Sequence, residues 1–282
     1  MNEQSYYAEI EEAAAAIGAK LGGSKPEIGL ILGSGLGELA DHIEQPIVIP
    51  YEDIPCFPVS TVAGHAGKLV AGMLGGRPVI AMQGRFHYYE GYSQRQVALP
   101  VYAMRMLGVH SLIATNAAGG MNRDFKPGDL MVIRDHLNFT GGNPLIGPND
   151  ERLGPRFPDM SAAYDAEYRE LARRIAADLF DDPEDGIALR EGVYCGIAGP
   201  SYMTPSELTM LARLGGDAVG MSTVAETIAA RHAGLRVLGL SCITDMAIGE
   251  TLQPLTHEEV MRTAAKSKPA FIHLVLAIVE EM

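Results

Sequence analysis

Four short segments of this chain carry groups able to grip an oxyanion, and each follows an apolar run. In Gly33-Ser34-Gly35-Leu36-Gly37, after IGLIL, glycines allow a sharp turn that brings backbone N–H groups to an anion, and Ser34 adds a hydroxyl. In Gly84-Arg85-Phe86-His87-Tyr88-Tyr89-Glu90-Gly91, Arg85 can fork onto two phosphate oxygens, while His87 and Tyr89 alternate and so face one way. Asn116-Ala117-Ala118-Gly119-Gly120 offers open backbone N–H groups just beyond a strand. In Gly220-Met221-Ser222-Thr223 a strand gives way to a helix, with Thr223 as its cap and Ser222 left over for an anion at the helix N-terminus. His65, in Gly64-His65-Ala66-Gly67, is a fifth candidate. Each segment alone reads equally as a tight turn, a surface arginine, a capped helix or a satisfied core histidine. Four of them at strand ends are more specific, because open α/β sheets bind ligands in the crevice outside those ends. Ser34, Arg85, the Ala117 N–H and Ser222 then form a phosphate cradle that needs neither lysine nor metal.

Common alternatives fail on spacing. Glu38 stands where the dinucleotide fingerprint requires its last glycine, no Gly-Lys-Ser/Thr closes a Walker loop, and leucines 32 and 36 break the hydrolase elbow. Metal-ligand spacings such as HxxxH and HExxH are absent, so no metal and no cofactor is expected.

The elements that must position these groups alternate along the whole chain. Strands are predicted at Ile28–Leu32, Lys68–Leu74, Arg77–Gln83, Ser111–Thr115, Leu130–Arg134, Gly192–Ile197, Ala218–Met221 and Leu235–Ile243. Gly75-Gly76 is a hairpin signal, which makes the sheet mixed. Capping boxes at Ser93–Gln96, Thr223–Glu226 and Thr256–Glu259, and Thr204-Pro205-Ser206-Glu207, mark helix starts. Residues 141–158, rich in glycine and proline, predict a long surface loop. The expectation is a single α/β domain over residues 1–282, with a central mixed β-sheet flanked by helices.

Composition narrows the class. The chain is 47% hydrophobic and 20% charged, which excludes disorder, and 35 acidic against 22 basic residues disfavour a nucleic-acid or anionic-membrane surface. Cys56, Cys195 and Cys242, odd in number and without a CxxC, point to reduced thiols in the cytoplasm. No secretory signal and no membrane-spanning run is read.

LILGSGLG, QGRFHYYEGY, TNAAGGMN, AGPSYMTPSEL, DAVGMSTVAETIAARHAGLRVLGLSCIT and THEEV together resemble the trimeric purine nucleoside phosphorylases, from about residue 26 to the C-terminus. The resemblance implies a transferase that uses inorganic phosphate as co-substrate to split the bond between purine N9 and ribose C1′. It implies that Ser34, His65, Arg85, Ala117 and Ser222 hold phosphate, and that Tyr89 and Met221 bind the ribose hydroxyls. By the same resemblance His87 lies nearby, His257 orients the 5′-hydroxyl, Tyr202 stacks on the purine, and Val219 and Thr244 line the base site. Phe157 reaches a neighbouring subunit's site in a homotrimer.

Two positions depart from the family pattern. Met203 replaces the glutamate that follows the stacking aromatic, and Asp245 replaces the asparagine that serves O6 and N7. Adenine has no N1–H for a glutamate to accept, and a protonated Asp245 can accept from N6 while donating to N7. The expectation is therefore a preference for 6-aminopurine nucleosides, chiefly adenosine. The alternatives are a 6-oxopurine enzyme for inosine and guanosine, or a methylthioadenosine phosphorylase, which generally lacks the histidine found here as His257. A nucleoside hydrolase or a non-catalytic nucleoside-binding module would have no use for an intact set of phosphate donors.

Overall fold

The run Ile28–Leu32 is buried at every residue, as a central parallel strand covered on both faces must be. In the computed structural model, which describes residues 5–61, 66–180, 187–254 and 256–282, this run forms β1. The other strands are β2 (Glu44–Pro50), β3 (Lys68–Leu74), β4 (Arg77–Gln83), β5 (Ser111–Gly120), β6 (Leu130–Phe139), β7 (Leu189–Ile197), β8 (Ala218–Gly220) and β9 (Arg236–Met246). All belong to one nine-stranded sheet in the order β2-β3-β4-β1-β5-β8-β7-β6-β9. Because β5 also pairs with β9, the run β5-β8-β7-β6-β9 closes on itself, and β1, β4, β3 and β2 extend from it as a wing. β1 is parallel to β4 and β5, while β3 is antiparallel to both neighbours, so the sheet is mixed. Gly75 and Gly76, both at positive φ, make the β3–β4 hairpin turn.

Helices cover both faces of this sheet. Its alternate faces pack Ile31 with α1 (Tyr6–Lys20), α2 (Gln94–Met106) and α5 (Val224–His232), and Leu30 and Leu32 with α3 (Ala166–Leu179) and α6 (His257–Glu281). Full burial of each such side chain contributes about 1.5–3 kcal/mol. A smaller cluster sets Leu208 and Leu211 of α4 (Pro205–Arg213) against Ile197, Val219 and Ala247, beside the site described below. Among the described residues, no helix is long and apolar enough to cross a membrane.

The structure departs from the sequence reading at several boundaries. β2 was not foreseen: it is an edge strand, mostly exposed and broken by Pro46, so little alternation marks it. β5 runs on to Gly120, β6 to Phe139 and β9 to Met246, because closing the ring supplies backbone partners that an isolated run lacks. Asn116–Gly120 is therefore strand rather than loop. The reciprocal caps at Ser93, Thr204 and Thr256 form as expected, but the one at Thr223 does not.

Candidate active site

The strand pairings leave a gap in which backbone groups stay open. β1 pairs with β5 only as far as Ala114, and β8 takes over only at Gly119. Residues of a strand alternate their backbone groups from edge to edge, so Ala117 faces the same open side as Thr115, whose carbonyl accepts from Arg85 Nη1. The loop after β1 enters this gap because it carries glycine. A Cβ on Gly33 would lie 2.8 Å from Asn116 Cα, and Gly35, at φ 77°, presses against Ala264 of α6.

Here a cavity of about 580 Å³ opens. Its polar end is lined by Ser34, Arg85, His87, Asn116, Ala117 and Ser222, with Tyr89 and Met221 alongside. Its other end is lined by Tyr202, Met203, Val219, Thr244 and Asp245, over an apolar floor of Ile197, Leu208, Ala247 and Leu252. His257, the first residue of α6, stands on the wall. Every site residue named from the sequence lines this one cavity except two. His65 lies outside the described residues. Phe157 sits on the 141–158 loop, 87% exposed and away from the cavity of its own chain.

Arg85 differs most from expectation. Its Nε and Nη2 edge grips Glu226 at 3.0 and 2.6 Å, with both side chains almost completely buried. The fork read as reaching two phosphate oxygens is thus occupied by a carboxylate. Glu226 was read as a capping residue of α5, and nothing in its local pattern distinguishes a cap from a core ion pair 141 residues away in sequence.

Thr223 is the second correction. With φ 72°, ψ −42° and Val224 N–H donating to Ser222 O at 2.8 Å, residues 222–224 form the rare positive-φ γ-turn, so the Thr223 side chain caps nothing. It instead accepts from Asn116 Nδ2 at 2.9 Å. Such strain in a β-branched residue costs about 1–3 kcal/mol and collects at functional sites. Ser222 N–H donates to Tyr194 Oη at 3.3 Å.

Electrostatics separate the two ends. The His87 backbone N–H and Nδ1 both meet Glu90 Oε1, at 2.8 and 3.1 Å. Burial alone would raise Glu90, but hydrogen bonds from His87 and Thr61 outweigh it and bring the carboxyl down to about 2. Burial lowers His87, against the opposing pull of Glu90. His87 stacks on Tyr89 with centroids 4.6 Å apart, and burial pushes the Tyr89 phenol up to about 12. At the far end burial raises Asp245, partly offset by the Thr244 hydroxyl donating to Oδ1 at 2.9 Å. Glu90, Asn116, Tyr194 and Glu226 were not singled out from sequence. Glu90 and Asn116 lie inside segments already marked for the site, Glu226 carried only a capping signal, and Tyr194 carried none.

The comparisons agree on one family. The phosphorylase superfamily pattern matches residues 27–280. Purine nucleoside phosphorylase 1 of Geobacillus stearothermophilus is 60% identical over 273 residues, covering 97% of each chain. Purine nucleoside phosphorylase of Mus musculus is 48% identical over 260 residues, covering 89% of each. Among solved structures, isoform 2 of the Schistosoma mansoni enzyme, in complex with cytosine and ribose-1-phosphate, superposes with a TM-score of 0.91 at 45% identity, over 98% of this chain and 97% of that one. A second Schistosoma mansoni purine nucleoside phosphorylase structure, in complex with adenosine, gives 0.90 at 44% identity, over 97% of this chain and 96% of that one.

Proposed function

Since this chain belongs to the purine nucleoside phosphorylases of the phosphorylase superfamily, we propose that among purine nucleosides it prefers those with a 6-amino group, chiefly adenosine. The enzyme is a pentosyltransferase that yields the free base and ribose 1-phosphate. As the glycosidic bond stretches, the ribose becomes cationic and the purine anionic. A preorganised site must therefore set an anion against C1′ and a proton donor against the base.

Phosphate is assigned to the polar end, held by Ser34, Arg85, the Ala117 N–H, Ser222 and His65, as co-substrate without any other cofactor. Arg85 acts there as a charge fixed by Glu226. Tyr89 and the Met221 backbone take the ribose hydroxyls, with His87 beside them. His257, on the cavity wall, takes a 5′-hydroxyl, which favours ordinary nucleosides over 5′-methylthio ones. Phe157, so exposed on its loop, completes a neighbour's site in a homotrimer. The three unpaired thiols suit the cytoplasm.

The observation that carries the adenosine reading is Asp245, half-buried at the base end with its carboxyl raised by desolvation, in a cavity that apolar Met203 also lines. A neutral carboxyl accepts from N6–H and donates to N7. Adenosine, inosine, guanosine and methylthioadenosine compared by kcat/KM, with and without phosphate, test the assignment. Adenosine should lead, and only with phosphate present. A strong inosine preference overturns the base choice, and turnover without phosphate overturns phosphorolysis.

The pH dependence has a definite sign. Asp245 donates to N7 only while protonated, so the ratio of adenosine to inosine turnover should fall as pH rises through its raised pKa. The ratio cancels titration of phosphate itself. A ratio that is flat with pH would remove the proton donor from this account.

A further inference from the structure

Asn116, Thr223 and Ser222 form a chain of side chains that neither the expected helix cap nor the cradle accounts for. Asn116 is 1% exposed, and its backbone is held against Gly33, so its amide has little freedom. An amide nitrogen can only donate, so at 2.9 Å its Nδ2–H fixes Thr223 Oγ1 as acceptor. Ser222 Oγ lies 3.1 Å from Thr223 Oγ1, where either hydroxyl can donate; with one Oγ1 lone pair already taken by Asn116, donation by Thr223 to Ser222 is the direction that uses the Thr223 proton. A Ser222 hydroxyl that accepts from Thr223 must turn its own proton elsewhere, and Ser222 lines the cavity. The strained γ-turn makes this possible, because an ordinary helical cap at Thr223 would send Oγ1 to the first-turn N–H groups instead. Among the described residues, no group hydrogen-bonds the buried Asn116 Oδ1, and the Nδ2 bond to Thr223 holds the amide.

We propose that Asn116 and Thr223 are positioning residues: a one-way hydrogen-bond relay that presets the Ser222 hydroxyl as a donor to the phosphate co-substrate. This rests on the reading of Ser222 as a phosphate ligand. A serine rotor in water points its proton either way. Here its direction is set before the anion arrives, which is preorganisation of the kind that makes a donor effective.

The test measures KM for phosphate and for nucleoside in Ser222→Ala, Thr223→Val, Thr223→Ser and the Ser222→Ala/Thr223→Val double variant, each checked by thermal melting. Thr223→Val should raise the phosphate KM about tenfold, the equivalent of one hydrogen bond, and leave the nucleoside KM within about twofold. Thr223→Ser should restore it. In the Ser222→Ala background, Thr223→Val should add nothing, since the relay has lost its end point. An unchanged phosphate KM in Thr223→Val, or an undiminished effect in the double variant, overturns the relay while leaving Ser222 as a ligand. An unchanged phosphate KM in Ser222→Ala removes the ligand reading and the relay together. Should Thr223→Val not fold, Asn116→Asp serves in its place. It puts an acceptor where the donor stands and turns the Thr223 proton away from Ser222, so a wild-type phosphate KM in that variant also overturns the relay.

Discussion

Glu226→Ala is expected to lower the free energy of unfolding by about 3–5 kcal/mol, a large fraction of what a domain of this kind possesses. Glu226 and Arg85 are about 3% and 1% exposed, and the carboxylate takes both hydrogens of the Nε/Nη2 edge. Removing it leaves a buried guanidinium without its counter-charge, which the Thr115 carbonyl that accepts from Nη1 cannot neutralise. The loss should appear in urea titrations at neutral pH as a lower midpoint with an unchanged slope. Glu226→Gln should cost less, because its amide oxygen still accepts one hydrogen bond. A matched Arg85→Met/Glu226→Leu pair should recover much of the stability while losing phosphorolysis. That combination separates the pair's structural contribution from the charge it lends the anion site. Loss of less than about 1 kcal/mol in Glu226→Ala, the range of an exposed pair, would mean that water reaches this site in solution.

Asp245→Asn is expected to lower kcat/KM for adenosine by about 10²–10³ and to raise inosine relative to it. Both side chains can offer a carbonyl to N6–H and a hydrogen to N7, so geometry alone does not separate them. Acidity does. A carboxylic acid can pass its proton to N7 as the N9 bond breaks, whereas a carboxamide only lends a hydrogen bond to a base that must leave with more negative charge. With a 6-oxopurine, the amide donates to O6, and once N7 takes a proton from water as the base departs its carbonyl accepts from N7–H; an ionised Asp245 instead sets its charge against the O6 lone pairs. Desolvation of Asp245, in a cavity that apolar Met203 also lines, raises its pKa and so shifts the wild type toward the neutral acid. Steady-state kinetics on both nucleosides, with the pH profile repeated on the variant, check this. The fall in the adenosine-to-inosine ratio with rising pH should vanish in Asp245→Asn. Equal losses for both bases would show that Asp245 supports the pocket without choosing the purine.

Much of this site was legible in the chain itself. Ser34 sits in a glycine turn after a strand, and capping residues mark the helix starts next to Tyr202, Met203 and His257, whose place in the site only the family resemblance implied; all four line the cavity. Local backbone chemistry specifies such positions, because turn geometry and reciprocal caps involve residues within four of one another. Asp245 and Met203 were readable as departures from a family pattern, since a substituted side chain keeps its place when the backbone around it is kept.

Tertiary structure decided the polarity and partnership of the remaining groups. Whether Glu226 caps a helix or neutralises an arginine, and whether Thr223 caps or relays, depends on Arg85 and Asn116, which lie 141 and 107 residues away in sequence. Ring closure between β5 and β9 turned Asn116–Gly120 from a predicted loop into strand with one open edge. Those outcomes follow from which groups are buried together. A buried charge or hydroxyl must find a partner wherever the fold offers one, and periodicity along the chain carries no record of that choice.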